Sequence, residues 1–205
     1  MIRHAIAVTL TVLMLSSISE AGKFNMKLNI GDAAPAWKDL PGTDGRKHSL
    51  ADLKDKEAVV VVFTCNSCPI AVDYEDRIID FTKKYAGPSG KVGMVAINVN
   101  NIEADKLDKM KERAAEKGFN FPYLYDESQE IARAYGATAT PEFFVLDQSR
   151  KVAYMGALDD TSTVANVKHK YLESAVDAVL HGKQPATKET YPHGCRIRFD
   201  RKKRD

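Results

Sequence analysis

Residues that mark specialised chain classes are scarce in this sequence. Its 205 residues include three cysteines and one tryptophan. Three cysteines are too few to staple a small secreted scaffold, so each is read by its own position. Neither sign of charge dominates. Thirty Lys and Arg against 28 Asp and Glu leave a net charge of +2, which gives no argument for a nucleic-acid partner or an anionic membrane surface. The one strongly basic stretch, Arg196 to Asp205, reads as a solvated tail. There is no internal repeat, no second CxxC and no HxxxH pair, which removes repeat architectures and the common zinc arrangements. Long apolar runs are also missing. Ala5 to Leu15 falls short of the roughly 20 residues that a membrane-spanning helix needs. With the basic Met1-Ile2-Arg3-His4 before it and Ser19-Glu20-Ala21 after it, it reads as a signal peptide over residues 1–21. An uncleaved anchor is the alternative. Export, to a periplasm or the outside, would put the chain where disulfides persist.

What remains, 44% hydrophobic and 28% charged, suits a single α/β domain. Ala58 to Thr64 is a continuous β-branched run of the kind buried on both faces of a sheet. Pro69 then opens a helix predicted to run to Ala86, with Ile70, Tyr74, Ile78, Phe81 and Tyr85 at helical spacing. A second buried strand is predicted over Val92 to Val99. A charged helix follows over Glu103 to Lys117, and a shorter one over Ser128 to Tyr135. A hairpin turns at Asp147–Arg150 between Phe143–Leu146 and Val152–Met155. Val164, Val167, Tyr171, Ala175 and Val179 predict a last helix. The order β-α-β-α-(α)-β-β-α favours a parallel pair with a right-handed crossover plus antiparallel strands. The expected division is an extension over 22–57, a core over 58–182 and a tail over 183–205.

The chemistry-bearing motif is Cys65-Asn66-Ser67-Cys68-Pro69. It lies at the carboxyl end of a buried strand, where open α/β sheets place ligands. It also opens a helix, whose free N–H groups and partial positive charge favour a thiolate. The spacing of three brings the two sulfurs within reach of one another. Cys65 is therefore expected to be the exposed attacking thiol, and Cys68 the partner that resolves a mixed disulfide. Two buried structural cysteines are the alternative.

VVFTCNSCP, FPYLYDESQEIARAYGATATPEFFVLD, YLESAVDAVLHGK, the late GCRIRF and the early GDAAPAW…GTDGRKHSLADL together resemble the thioredoxin-like redoxin superfamily of AhpC/TSA type. Within it they resemble the peroxiredoxin-like branch with a TCxxCP motif. The resemblance spans Ile30 to Phe199. It implies a thioredoxin fold, thiol-based oxidoreductase activity without a cofactor, and an antioxidant or disulfide-handling role. It also implies a cis-proline loop at Thr140-Pro141 that faces the CxxC and supplies a groove for an extended peptide. Thr140, Pro141, Thr64 and Pro69 would bind substrate. The implied partners are a protein or small-molecule disulfide and a thiol electron donor.

The chain departs from better-known relatives in two ways. Peroxiredoxins carry Pro-x-x-x-Thr-x-x-Cys, but counting back from Cys68 finds Cys65 and Val61 at the Thr and Pro positions. The positions that hold a buried carboxylate in thioredoxins here carry Val59 and Ala71. Asp73, Glu75 and Asp76 are expected to be solvated. Cys195 is a candidate third redox thiol, with an inert tail thiol as the alternative. A zinc set of Cys65, Cys68, His193 and Cys195 has the right donor types, but no metal site is expected. Two alternative functions remain: a thiol peroxidase, and a copper-binding assembly factor using His169 or His181. His48 reads as a loop residue. Trp37 and the Phe119/Phe121/Tyr123 group read as packing.

Overall fold

The computed structural model describes residues 22–87 and 90–201. The expected signal peptide, residues 1–21, lies outside them. In chain order the elements are β1 (Leu40–Pro41), β2 (Lys47–His48), a 3-10 turn at Leu50–Leu53, β3 (Ala58–Phe63), α1 (Pro69–Tyr85), β4 (Val92–Asn98), a 3-10 turn at Glu103–Asp105, α2 (Leu107–Lys117), β5 (Tyr123–Tyr125), α3 (Glu130–Tyr135), β6 (Ala139–Thr140), β7 (Glu142–Leu146), β8 (Val152–Gly156), a 3-10 turn at Val164–Asn166, α4 (Tyr171–Leu180) and β9 (Cys195–Arg196). Among the described residues no helix is long and apolar enough to cross a membrane.

Five strands form the central sheet in the order β5-β4-β3-β7-β8. β3 runs parallel to β4, from Ala58↔Val92 to Phe63↔Ile97, and antiparallel to β7. Its six residues are all buried. Successive side chains alternate between two cores. Val60 and Val62 face Tyr74, Ile78 and Phe81 of α1, Met110 of α2, and Leu172 and Val176 of α4. Val59, Val61 and Phe63 face Ala132 and Tyr135 of α3, together with Leu28, Trp37 and Leu50 of the amino-terminal extension. Helices thus cover both faces of a mixed sheet, as expected for the α/β class. Each fully buried Val contributes about 1.5–3 kcal/mol, which is why the continuous apolar run sits at the centre of the sheet.

The amino-terminal extension reaches both edges of this sheet. A bridge at Ala33↔Lys151 guards β8, and another at Gly42↔Leu124 guards β5. Both outer strands are therefore shielded from pairing with another chain.

Three predicted elements differ. The charged helix splits, because residue 106 has the extended ψ of 155° that starts α2 only at Leu107. The last helix begins at Tyr171, and Val164 is 65% exposed, so the first two apolar positions of the predicted stripe lie outside it. Phe119, Phe121 and Tyr123 do pack together, but Tyr123 also begins strand β5, which the alternation of a three-residue element is too short to reveal.

Candidate active site

Strand β3 ends at Phe63, and Thr64 still donates its N–H to the Ile97 carbonyl at 3.1 Å. The chain then leaves the sheet through Cys65, Asn66 and Ser67 and enters α1. Cys68 is the residue that caps α1, and Pro69 is its first residue. The Ala71 N–H donates to Cys68 Sγ at 3.3 Å, so the helix terminus spends one of its free donors on sulfur.

The Thr140-Pro141 peptide is cis, as the resemblance implied, and its loop faces the cysteines. Cys65 Sγ lies 3.3 Å from Thr140 Oγ1 and 3.7 Å from Ser67 Oγ. Cys68 Sγ lies 3.1 Å from the Thr140 carbonyl oxygen. Thr140, Pro141 and, at the strand end, Thr64 are buried, and Pro69 is exposed.

The disulfide does not join the two cysteines of the motif. Cys68 is bonded to Cys195, 127 positions downstream, and Cys65 is free. Cys65 is also not exposed: it is 3% accessible, Cys68 is 2% accessible, and Cys195 is half-buried. The physical reason lies in the tail. Residues 195–200 are docked rather than solvated. β9 pairs antiparallel with β6, setting Cys195 opposite Thr140 and Arg196 opposite Ala139. Ile197 is buried in the second core and donates its N–H to the Thr138 carbonyl at 2.9 Å. The strand therefore delivers the third sulfur to Cys68. It also occupies the edge beside the cis-proline where a peptide groove was expected.

Two buried carboxylates beside the cysteines, Asp105 and Glu142, are not apparent from the sequence. Asp105, 0% exposed, accepts from the N–H groups of Asn66 and Ser67 at 2.9 Å each, from Ser67 Oγ at 2.6 Å and from Asn100 Nδ2 at 3.2 Å. It fixes the backbone between the two cysteines. Tyr123 donates to Asn66 Oδ1 at 3.1 Å. Burial, with Cys65 and Asp105 nearby, pushes its phenol far above the ordinary range, so it remains a donor. Glu142 accepts the N–H groups of Thr138 at 2.8 Å and Ala139 at 3.1 Å, just before the cis-proline. A third correction concerns α1. Glu75 is buried and paired with Arg113 of α2 at 2.6 Å, whereas Asp73 and Asp76 are exposed.

Burial raises the Glu142 pKa. The folded state therefore holds this proton more tightly than the unfolded state does, and stability falls as pH rises. The loss begins near the ordinary glutamate value of about 4.3 and is complete above the raised value. Glu142→Gln is expected to remove this slope. Urea midpoints of the two proteins, compared from pH 4 to pH 8, check it: parallel curves would contradict the assignment.

Of the histidines, His169 is exposed and stacks on Tyr171, His181 caps α4, and His48 in β2 bonds to Asp44 at 3.0 Å. His193 is exposed beside Cys195. Among the described residues no group of three or more His, Cys, Asp or Glu is arranged to hold a metal ion, and two of the four zinc donors considered above are joined to each other.

Known proteins resemble this chain in both sequence and fold. A Mycobacterium tuberculosis protein named "Putative peroxiredoxin MT2597" is 31% identical over 58% of this chain and 70% of its own length. Thiol-disulfide oxidoreductase ResA of Geobacillus thermodenitrificans is 26% identical over 71% of this chain and 77% of its own. The crystal structure of hypothetical protein SMc02350 from Sinorhizobium meliloti superposes with a TM-score of 0.76 at 36% identity, covering 84% of this chain and 96% of that one. The profile of the Redoxin family matches residues 29–171. With a thioredoxin-type sheet, a cysteine-capped helix and a disulfide at the end of the central strand, the chain belongs to the Redoxin family and has a redox function.

Proposed function

We propose that this protein is an exported thiol–disulfide oxidoreductase centred on Cys68. The observation that carries the reading is the meeting of three cysteines at Thr140, one disulfide and one free thiol together. Cys68 is the shared sulfur. Its bond to Cys195 is one oxidised form. Attack of the Cys65 thiolate on Cys68 Sγ would break that bond, form the Cys65–Cys68 disulfide expected from the motif, and release Cys195 as a thiolate. The electron count is unchanged, so this exchange stores either oxidised pair without a cofactor. The similarity to a protein named thiol-disulfide oxidoreductase supports the activity. The basic and apolar start of the chain supports export.

The test uses fully reduced protein mixed with hydroxyethyl disulfide. The expected result is consumption of the disulfide and recovery of a Cys68-containing disulfide in peptide maps. Hydrogen peroxide should be turned over slowly, because Val61 and Cys65 stand where the peroxide-binding Pro and Thr would be. Failure to consume the disulfide, with brisk peroxide turnover, would replace this reading with a peroxidase.

A further inference from the structure

We propose that the partner of this centre is a low-molecular-weight thiol–disulfide couple, not an extended polypeptide, and that it reacts at Cys195. The inference rests on the reading of the centre as a site of thiol–disulfide exchange. An extended peptide docks on a sheet edge through its backbone. Here the edge beside the cis-proline already carries β9. Its occupant comes so close that a Cβ on Gly194 would collide with the Thr140 carbonyl and the Pro141 nitrogen.

The tail is held independently of the disulfide. Gln129, 1% exposed, donates to the Arg198 carbonyl at 2.9 Å and accepts the Asp200 N–H at 2.7 Å. Asn100, 2% exposed, accepts the Arg198 N–H at 3.0 Å. Displacing the strand would strip Asn100 Oδ1 of its Arg198 donor and leave Gln129 only the Val99 carbonyl and Arg133, which is costly for groups this buried. Reduction therefore leaves the tail in place and the peptide edge closed.

Of the three sulfurs, only that of the half-buried Cys195 belongs to a residue open to solvent beyond a few per cent. A small thiolate attacks Cys195 Sγ, forms a mixed disulfide there and breaks the Cys68–Cys195 bond. Cys68 departs as a thiolate, stabilised by the Ala71 N–H and the positive end of α1. A second small thiolate attacks the bound sulfur of the partner, releasing the small disulfide and the Cys195 thiolate. Two thiols are oxidised and one protein disulfide is reduced. The reverse sequence reduces a small disulfide.

Three measurements test this. Reduced protein should consume hydroxyethyl disulfide at least about tenfold faster than insulin at equal disulfide concentration. Amide exchange at Ile197 should stay protected after reduction. Oxidised glutathione should load the Cys68→Ser protein at Cys195 rather than Cys65. Equal rates on insulin, release of the Ile197 amide on reduction, or a glutathione adduct on Cys65 would each overturn the inference. If neither disulfide is consumed, the exchange reading itself falls, and this inference with it. Gln129→Ala, which frees two anchors of the tail, should raise the insulin rate several-fold while the hydroxyethyl disulfide rate stays within about twofold; no gain on insulin would again count against the closed edge.

Discussion

Cys68→Ser is expected to lower thiol–disulfide turnover by about three orders of magnitude or more, since the shared sulfur is lost and serine cannot replace it. The same change removes the only disulfide among the described residues. Closing a loop of this length contributes about 5 kcal/mol through the unfolded chain in the chain-entropy picture. The variant should therefore also melt earlier than the oxidised parent and match the reduced one. Cys65→Ser makes the contrast. It leaves the Cys68–Cys195 bond intact, so its stability should stay close to the parent's, and only the exchange through Cys65 disappears. Initial rates with hydroxyethyl disulfide, a titration of free thiols and thermal melts separate the two. If Cys68→Ser kept a tenth of the parent rate, Cys68 could not be the central sulfur.

The second large effect concerns a residue without a reactive atom. Asp105→Ala strips the acceptor from two backbone N–H groups and a serine hydroxyl in the cysteine loop, and from the Asn100 amide just after β4. Leaving buried donors unpaired costs about 1–3 kcal/mol each when the loop cannot relax to water. Partial relaxation sets the expected loss at about 3 kcal/mol in urea unfolding. Asp105→Asn keeps one carbonyl acceptor and should lose less. An alanine variant as stable as the parent would show that solvent replaces the carboxylate freely, contrary to its full burial.

These two residues also mark what could be read from the sequence. Cys68 was legible because strand–Cys–x–x–Cys–Pro–helix is a local pattern, and every physical reason for it lies within ten residues. The apolar runs of β3 and β4 placed the sheet for the same reason. The cis form of Thr140-Pro141 and its facing of the cysteines came from family resemblance, not from propensity. Asp105 left a weaker trace. The polar run Asn98-Val99-Asn100-Asn101 follows a buried strand at its carboxyl end, where side chains converge on a site. A charged helix expected from Glu103 already accounts for the acid. Glu142 gave no signal, because a lone acid before Phe143-Phe144 reads as a strand end facing water. The docking of the tail is hidden because its composition points the other way. Four basic residues in six at its end suggest solvation, whereas the decisive features are Ile197 and backbone pairing with a strand of two residues. No local pattern encodes a partner more than 50 positions away.

The distance between Cys68 and Cys195 has a consequence for how the chain matures. During synthesis or translocation from the amino terminus, the two motif cysteines emerge together, and Cys195 follows 127 positions later. Until then Cys65 is the nearest oxidation partner for Cys68, and short loops close far sooner than long ones. A bridge made early in an oxidising compartment would thus be the local one. In a chain exported into such a compartment, the bond seen in the folded protein would then arise by reshuffling, once β9 has been laid beside β6. Assembly of that cysteine pairing would in this sense be a proofreading step, reached only by a chain whose far end has arrived and packed.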